Sequence, residues 1–342
     1  MDKKTKLICV GFAFEHHKGT HAGYNHVKDY AGYDEYVDCQ KYFEKLTHAS
    51  SNFFARCYRR AMRLIFGYPF FPVFLFKMIL MSIKNKCIFH IIYGENLYTP
   101  RMKHLFNGSK VVCTFHQPFS WFDNKTWKNY LKGIDGIILL SDKELKFFQQ
   151  ITQKDNITYI PHGVFTDYYS PDKSCTKTNM MLTVGNWLRD YELADRVYSD
   201  FLQKHPDWQI TIVANKECTK SVHQDDRIHC LTGISDDELR ELYRKCKILF
   251  LPLKRYTANN ALLEAASCGC NIIISSNNED NSYIPSGFIN TVPMEKDIVL
   301  TQIEENITHP SDSKMLVDYV DQHYSWKTIG QKVHSYIMTY SK

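Results

Sequence analysis

The sequence lacks an apolar run long enough to cross a bilayer, which takes about 20 residues as a helix. Its charge-free stretch Leu64–Phe76 falls short of that and is broken by Pro69 and Pro72. The 11 cysteines form no Cys-x-x-Cys pair and no Cys/His metal spacing, and Cys268 and Cys270 are too close in sequence for an easy bridge. That argues against a disulfide scaffold or structural zinc and for buried thiols in a reducing cytoplasm. No Asp-x-Asp metal signature stands out: Asp225–Asp226 and Asp236–Asp237 read as loop and helix-start acids. A Walker loop and a Ser/His/Asp order are missing too, and no GxGxxG follows either first strand, which counts against a dehydrogenase. Net charge is only +5 with no basic stripe, so a nucleic-acid partner has little support. Low-complexity tracts and repeat arrays are absent. The N-terminus resembles a signal peptide only superficially. Its apolar run Leu7–Phe14 leads straight into Glu15, His16 and His17 with no small-residue cleavage site, and it is expected to be a buried strand.

What is present suits two α/β domains in 342 residues. After the first strand, strand patterns fall at Cys87–Tyr93, Lys110–Phe115, Gly136–Leu140 and Ile157–Ile160. Helical patterns separate them, for example Asp142–Ile151 with Ser141 as its expected N-cap. The pattern restarts at Met181–Val184, Trp208–Ala214, Arg227–Leu231, Ile248–Leu251 and Ile272–Ser275, with helices expected at Leu193–His205 and Asp236–Lys245. Alternating buried strands and helices predict a doubly wound parallel sheet, here built twice. The seam is the polar, proline-containing segment Thr166–Thr178.

The segment Leu249–Ser276 is the most informative. A short apolar strand ends at Pro252. Thr257, Asn259 and Asn260 are good helix starters. Ala261 to Ala266 are mostly strong helix formers, Gly269 stops the helix, and a second strand follows. A strand end meeting a helix N-terminus favours an anion. Glu264 stands alone among apolar neighbours and is suited to accept from two vicinal hydroxyls, such as those of a ribose; the bland alternative is a carboxylate satisfied by its own helix.

Three further clusters lie at expected strand ends. Gly19, Thr20, His21 and Gly23 follow the first strand, where small residues let a substrate or a phosphate approach the backbone. His116, within Thr114–Pro118, is placed to donate a hydrogen bond to a hydroxyl or a phosphate. Gly185 and Asn186 lie in Val184–Asp190 with Arg189, which suits a diphosphate unless it pairs with Asp190. Elsewhere, Phe53–Lys86 mixes aromatics with Arg56, Arg59, Arg60, Arg63, Lys77, Lys84 and Lys86. That suits a helix or hairpin in an anionic membrane interface; the alternative is a helix buried against its sheet.

Several of these segments resemble family 4 retaining glycosyltransferases, which have the two-Rossmann-domain GT-B architecture. Ile160–Pro171 (IPHGVFTDYYSP) is similar to the family's interdomain turn, Leu231–Lys245 (LTGISDDELRELYRK) to its helix-start segment, and Pro252–Gly269 to its donor-binding segment. The resemblance implies an acceptor-binding domain over 1–168, a nucleotide-sugar domain over 169–325, and a last helix, about 326–342, packing back on the first. The two domains would face each other across a cleft. It also implies transfer of a sugar from a nucleotide-diphosphate sugar, used as a co-substrate with no cofactor or metal, to a glycan or lipid-linked acceptor. Glu264 would hold the ribose. Arg189 and the N–H groups from Thr257 through Ala258 and Asn259 to Asn260 would hold the diphosphate, and His116 would bond a donor-sugar hydroxyl.

Two positions depart from the family pattern. Tyr256 stands where the first Glu of Glu-x7-Glu is expected, and no lysine follows Arg189; Lys254 or Arg255 would supply that charge. A cytoplasmic enzyme, peripheral on the inner membrane face and making surface polysaccharide or glycolipid, is expected. A non-catalytic glycosyltransferase-like subunit and a two-Rossmann epimerase are the alternatives.

Overall fold

The computed structural model describes residues 5–48, 50–106, 108–153, 155–254, 256, 258–276, 283–285 and 287–341. The chain forms two compact units, one of Met1–Gly19, Gly23–Pro161 and Lys327–Lys342, the other of Thr20–Ala22 and His162–Trp326.

In the first unit, β1 (Lys6–Gly11), β2 (Glu35–Asp38), β3 (Cys87–Ile91), β4 (Lys110–Phe115), β5 (Gly136–Leu139) and β6 (Ile157–Tyr159) form one sheet. Its order is β2-β1-β3-β4-β5-β6, and every pairing is parallel. Central strands such as β3 are buried at every residue, which is why they read as unbroken apolar runs. The sequence pattern misses β2. It is an edge strand of four residues, EYVD, with only Val37 buried. Ser141 makes no side-chain cap, because Asp142–Glu144 is a 3₁₀ turn and the α-helix begins at Leu145.

Phe53–Lys86 becomes two helices, Phe53–Phe66 and Val73–Lys84. Asn52 caps the first through its side chain, and left-handed Gly67 ends it. That helix buries none of its residues, whereas the second buries Phe74, Leu75, Met78 and Ser82. Among the described residues no helix is long and apolar enough to cross a membrane. The last helix, Trp326–Met338, returns to the first unit. Gly330 lies against the Tyr30 carbonyl where no side chain would fit. His334 Nδ1 lies 2.8 Å from the Ala31 carbonyl oxygen, and Tyr336 Oη accepts from Ile137 N at 3.1 Å.

In the second unit, β7 (Thr178–Val184), β8 (Gln209–Val213), β9 (Ile228–Leu231), β10 (Cys246–Leu251), β11 (Asn271–Ser275) and β12 (Asn290–Val292) are again all parallel, in the order β12-β11-β10-β7-β8-β9. β12 is the second short edge strand that the pattern does not show. Both faces of this sheet are covered. Leu249, Leu251, Ile272 and Ile274 pack in one core with Tyr243 and Leu262, while Ile248, Phe250 and Ile273 pack in another with Val197 and Phe201. Each such side chain contributes about 1.5–3 kcal/mol on burial. Asp190 caps the helix Tyr191–Lys204, and Ser235 with Glu238 forms a capping box on Asp236–Lys245. The units divide at Pro161/His162, ahead of the polar seam. Val164 N donates to Tyr324 O at 2.8 Å and Tyr169 is buried, so this turn is anchored to the second unit despite its polarity.

Candidate functional site

In the second unit the chain goes from β7 to β8 and β9 on one side, then returns to place β10 beside β7. The β7/β10 pair is therefore the topological switch point, where open α/β sheets leave a crevice beyond the strand carboxyl ends. The loops leaving these two strands are stitched together. Asp190 N donates to Pro252 O at 2.7 Å, and Lys254 N to Leu188 O at 2.8 Å. Leu188 takes a left-handed φ of 55° to complete the turn.

Arg189 lies beneath this loop. Its Nε donates to Val184 O at 3.1 Å, Nη1 to Trp187 O at 2.8 Å, and Nη2 to Asn259 Oδ1 at 3.4 Å. Gly185 makes room for it: at φ 110°, any Cβ there would overlap the guanidinium. Asp190 does not pair with Arg189; its Oδ1 accepts from Leu193 N at 3.1 Å. No described carboxylate lies within 4.0 Å of Arg189. Burial disfavours the charged form, yet a guanidinium does not lose its proton in proteins. The result is a half-buried cation held only by neutral oxygens.

Asn259 joins it. Its side chain caps the helix Asn260–Ser267 by accepting from Leu262 N at 3.3 Å. Its Nδ2 is buried without a partner among the described residues. Leaving such a donor unpaired costs about 1–3 kcal/mol, and the helix N-terminus beside it adds positive potential. A guanidinium, a side-chain amide and a helix N-terminus thus meet at the switch point, a set suited to phosphate oxygens.

The other expected donor residues divide. Asn260 is the first residue of that helix and half-buried. Tyr256 and Ala258 are half-buried and packed on the apolar core. Lys254 is exposed. Asn186 pins its loop, its Oδ1 accepting from Asn215 N at 2.6 Å. Thr257 and Arg255 lie outside the described residues.

Glu264 is buried on the second turn of the helix and is not satisfied by its own backbone alone, since its Oε2 accepts from Tyr243 Oη at 3.0 Å. Burial pushes its pKa up to about 7; the Tyr243 bond opposes that rise and the Asp236 charge adds to it. Sequence reasoning did not find Tyr243. It is an apolar-face residue of an amphipathic helix, and only the fold shows where its hydroxyl points.

The loop after β1 departs from its expected role. His21 N and Nδ1 lie 2.6 and 2.8 Å from Asp236 Oδ2, and its ring stacks on Tyr168 at 3.6 Å. Thr20 Oγ1 accepts from Ala22 N at 3.2 Å. Gly23 has a φ of 102°, and a Cβ there would meet Asn25 Oδ1 and the His17 ring; Gly19 has open space around it. Gly23 is required by its protein neighbours, and His21 is committed to Asp236.

His116, in the first unit, follows β4. Its Nε2 donates to Ile92 O at 2.8 Å, so the bond it was expected to offer a ligand goes to the main chain. Burial drives its pKa down to about 4, which makes the ring neutral near pH 7 with Nδ1 as its acceptor. Beneath it lies a residue the sequence reading missed. Glu95 Oε1 accepts from His116 N and, at 2.7 Å, from Gln117 N. Its Oε2 is buried with no described partner, and burial raises its pKa to about 7. One signal was available: Glu95 is the sole acid between Glu44 and Asp123.

Two parallel six-stranded, doubly wound units in one chain define the GT-B class, and solved structures agree. A glycosyltransferase from Rickettsia africae superposes with a TM-score of 0.68 at 13% identity over 100% of both chains. Anabaena HepE in complex with UDP gives 0.70 at 12% identity, over 98% of this chain and 100% of that one. The same protein in complex with UDP-glucose gives 0.68 at 13% identity, with the same coverage. Residues 180–297, which hold Arg189, Asn259 and Glu264, match the family model of glycosyl transferases group 1. The gpi3 subunit of phosphatidylinositol N-acetylglucosaminyltransferase from Schizosaccharomyces pombe is 22% identical over 248 residues, 66% of this chain and 54% of that protein. The chain thus spans about half the length of this curated relative.

Proposed function

We propose that the protein transfers a sugar, with retention, from a nucleotide-diphosphate sugar to an acceptor hydroxyl. The observation that carries this reading is Arg189, a half-buried cation with no described acid partner, meeting Asn259 and a helix N-terminus at the switch point. These groups would bind the diphosphate and stabilise it as it leaves, without a metal. Glu264, ionised, would accept from both ribose hydroxyls. His116 would bond a donor-sugar hydroxyl. The UDP and UDP-glucose complexes of Anabaena HepE support a uridine donor. The lipid in the yeast relative's name supports a lipid-linked acceptor, and the exposed apolar side chains of Phe53–Phe66 and Val73–Lys84 support work at a membrane surface.

The test is a panel of UDP-, GDP- and ADP-sugars with purified protein. Stabilisation by one donor class, with slow hydrolysis or transfer, is expected; no binding and no turnover with any donor would overturn the reading. A non-catalytic subunit is favoured only by Tyr256, whose ring packs on the core where the family carries a carboxylate. Donor binding without transfer or hydrolysis would select it.

A further inference from the structure

The two helices Phe53–Phe66 and Val73–Lys84 expose Phe54, Leu64, Ile65, Val73, Leu80 and Ile83, each by at least 60%. On the first, Arg56, Arg59, Arg60 and Arg63 share one face at helical spacing, while Phe54, Tyr58 and Ile65 share another. Between Glu44 and Glu95 the sequence holds no acidic residue. A surface both apolar and uniformly basic matches an anionic lipid interface in charge as well as polarity.

Beside it opens a pocket of about 620 Å³, lined by Lys41, Lys45, His48, Arg59, Tyr58 and Phe70, with Glu44 at its wall. Lys41 and Lys45 stand one turn apart on the helix Gln40–Thr47. Glu44 is already engaged by Lys18 at 2.8 Å and by Gln40 Nε2 at 3.3 Å. No described carboxylate lies within 4.0 Å of Lys41, Lys45 or Arg59. Arg59 Nη1 is held on Ser50 O at 2.5 Å, and His48 Nδ1 lies 3.0 Å from Glu44 O. Tyr58 and Phe70, whose rings are 6.3 Å apart, form the apolar side of the pocket, and Tyr58 continues onto the exposed helix face.

We propose that this pocket seats the phosphomonoester headgroup of an anionic lipid while the two helices lie in the interface. Three cations and a histidine suit a group that carries nearly two negative charges, whereas a phosphodiester carries one. This rests on the membrane-surface reading above and goes further, because it assigns a headgroup and the residues that hold it.

The test is co-sedimentation of the full chain with vesicles of phosphatidylcholine alone, or with phosphatidic acid or phosphatidylglycerol added to equal anionic charge. Phosphatidic acid should bind roughly tenfold tighter than phosphatidylglycerol through its charge-assisted bonds. The triple variant Lys41→Gln/Lys45→Gln/Arg59→Gln should lose that preference. The control Arg56→Gln/Arg60→Gln/Lys84→Gln, with the same change of charge outside the pocket, should keep it while weakening binding to both anionic vesicles by about fivefold per cation. Identical behaviour of the two triples would overturn the headgroup site and leave the membrane reading standing. No binding to any vesicle would overturn both. Calorimetry with soluble glycerol 3-phosphate separates a free phosphate from a lipid: affinity equal to that for the vesicles would reassign the pocket and overturn the lipid proposal.

Discussion

Arg189 and Glu95 make an instructive pair. Each is a half-buried ionisable group in a strand-end region, Arg189 in the second unit and Glu95 in the first. Each is surrounded by main-chain groups instead of an opposite charge. Glu95 can shed its charge near neutral pH, because burial raises its pKa to about 7. Arg189 has no such exit, because guanidinium keeps its proton. The acid can therefore serve as internal scaffolding, a peg for the loop carrying His116. The cation stays charged, which is what the proposed diphosphate role uses. Burial alone does not separate structural from ligand-binding groups; the ability to discharge does.

The largest break in this comparison should come from Arg189→Met. Turnover with the donor should fall by a hundredfold to a thousandfold, in the range seen when one oxyanion-stabilising donor is lost. The melting temperature of the ligand-free protein should hold or rise, since a half-buried charge with no described acid partner is removed. A large loss of ligand-free stability would mark Arg189 as scaffolding after all.

Glu264→Gln should act through pH. The folded carboxyl titrates near 7 against an ordinary 4.5, so between these values the folded state binds a proton that the unfolded state does not. Stability contributed at this site is full below 4.5, falls as pH rises, and is at its lowest above 7. The neutral variant should remove that slope and stabilise the protein at pH 8 by up to about 3 kcal/mol. Denaturant titrations from pH 5 to 8 would check it. If Glu264 binds ribose as a carboxylate, nucleotide affinity of the wild type should increase from pH 6 to 8, and in the variant it should not.

A moderate effect is expected for Gly185→Ala. It combines a φ of 110° with a Cβ overlapping the guanidinium, costing about 1–3 kcal/mol, with weakened nucleotide binding as Arg189 shifts. The smallest effect should follow Glu95→Gln, whose amide oxygen still accepts from His116 and Gln117. Its pH-dependent stability should flatten as for Glu264→Gln, with turnover changed by less than about threefold; a loss as deep as that of Arg189→Met would place Glu95 in the chemistry.

Much of the fold was legible because parallel strands buried on both faces cannot be written without apolar runs. Lys110–Phe115 matches its expected bounds, and most other strands fall within a residue or two of theirs. Two of the four edge strands were not legible: Glu35–Asp38 and Asn290–Val292 are short and bury one side chain each, whereas the edges Ile157–Tyr159 and Ile228–Leu231 fall within a residue of their expected bounds. At the candidate site, residue type and loop position singled out Gly185, Arg189, Asn259 and Glu264 after two expected strands, and the strand order joins those strands at one switch point. What sequence could not give was direction. His116 turns its donor to Ile92, and His21 turns to Asp236, because main-chain and acid partners far away in sequence satisfy them first. Tyr243 and Glu95 were hidden for the same reason, each acting through a contact more than twenty residues distant.

Titration calorimetry of UDP, GDP and ADP with wild type and Arg189→Met tests the central claim most directly. One nucleoside diphosphate should bind the wild type and lose at least about thirtyfold in affinity in the variant, the cost of removing a buried charged hydrogen-bond partner. Equal affinity in both proteins would contradict the assignment of the switch-point cation to the diphosphate.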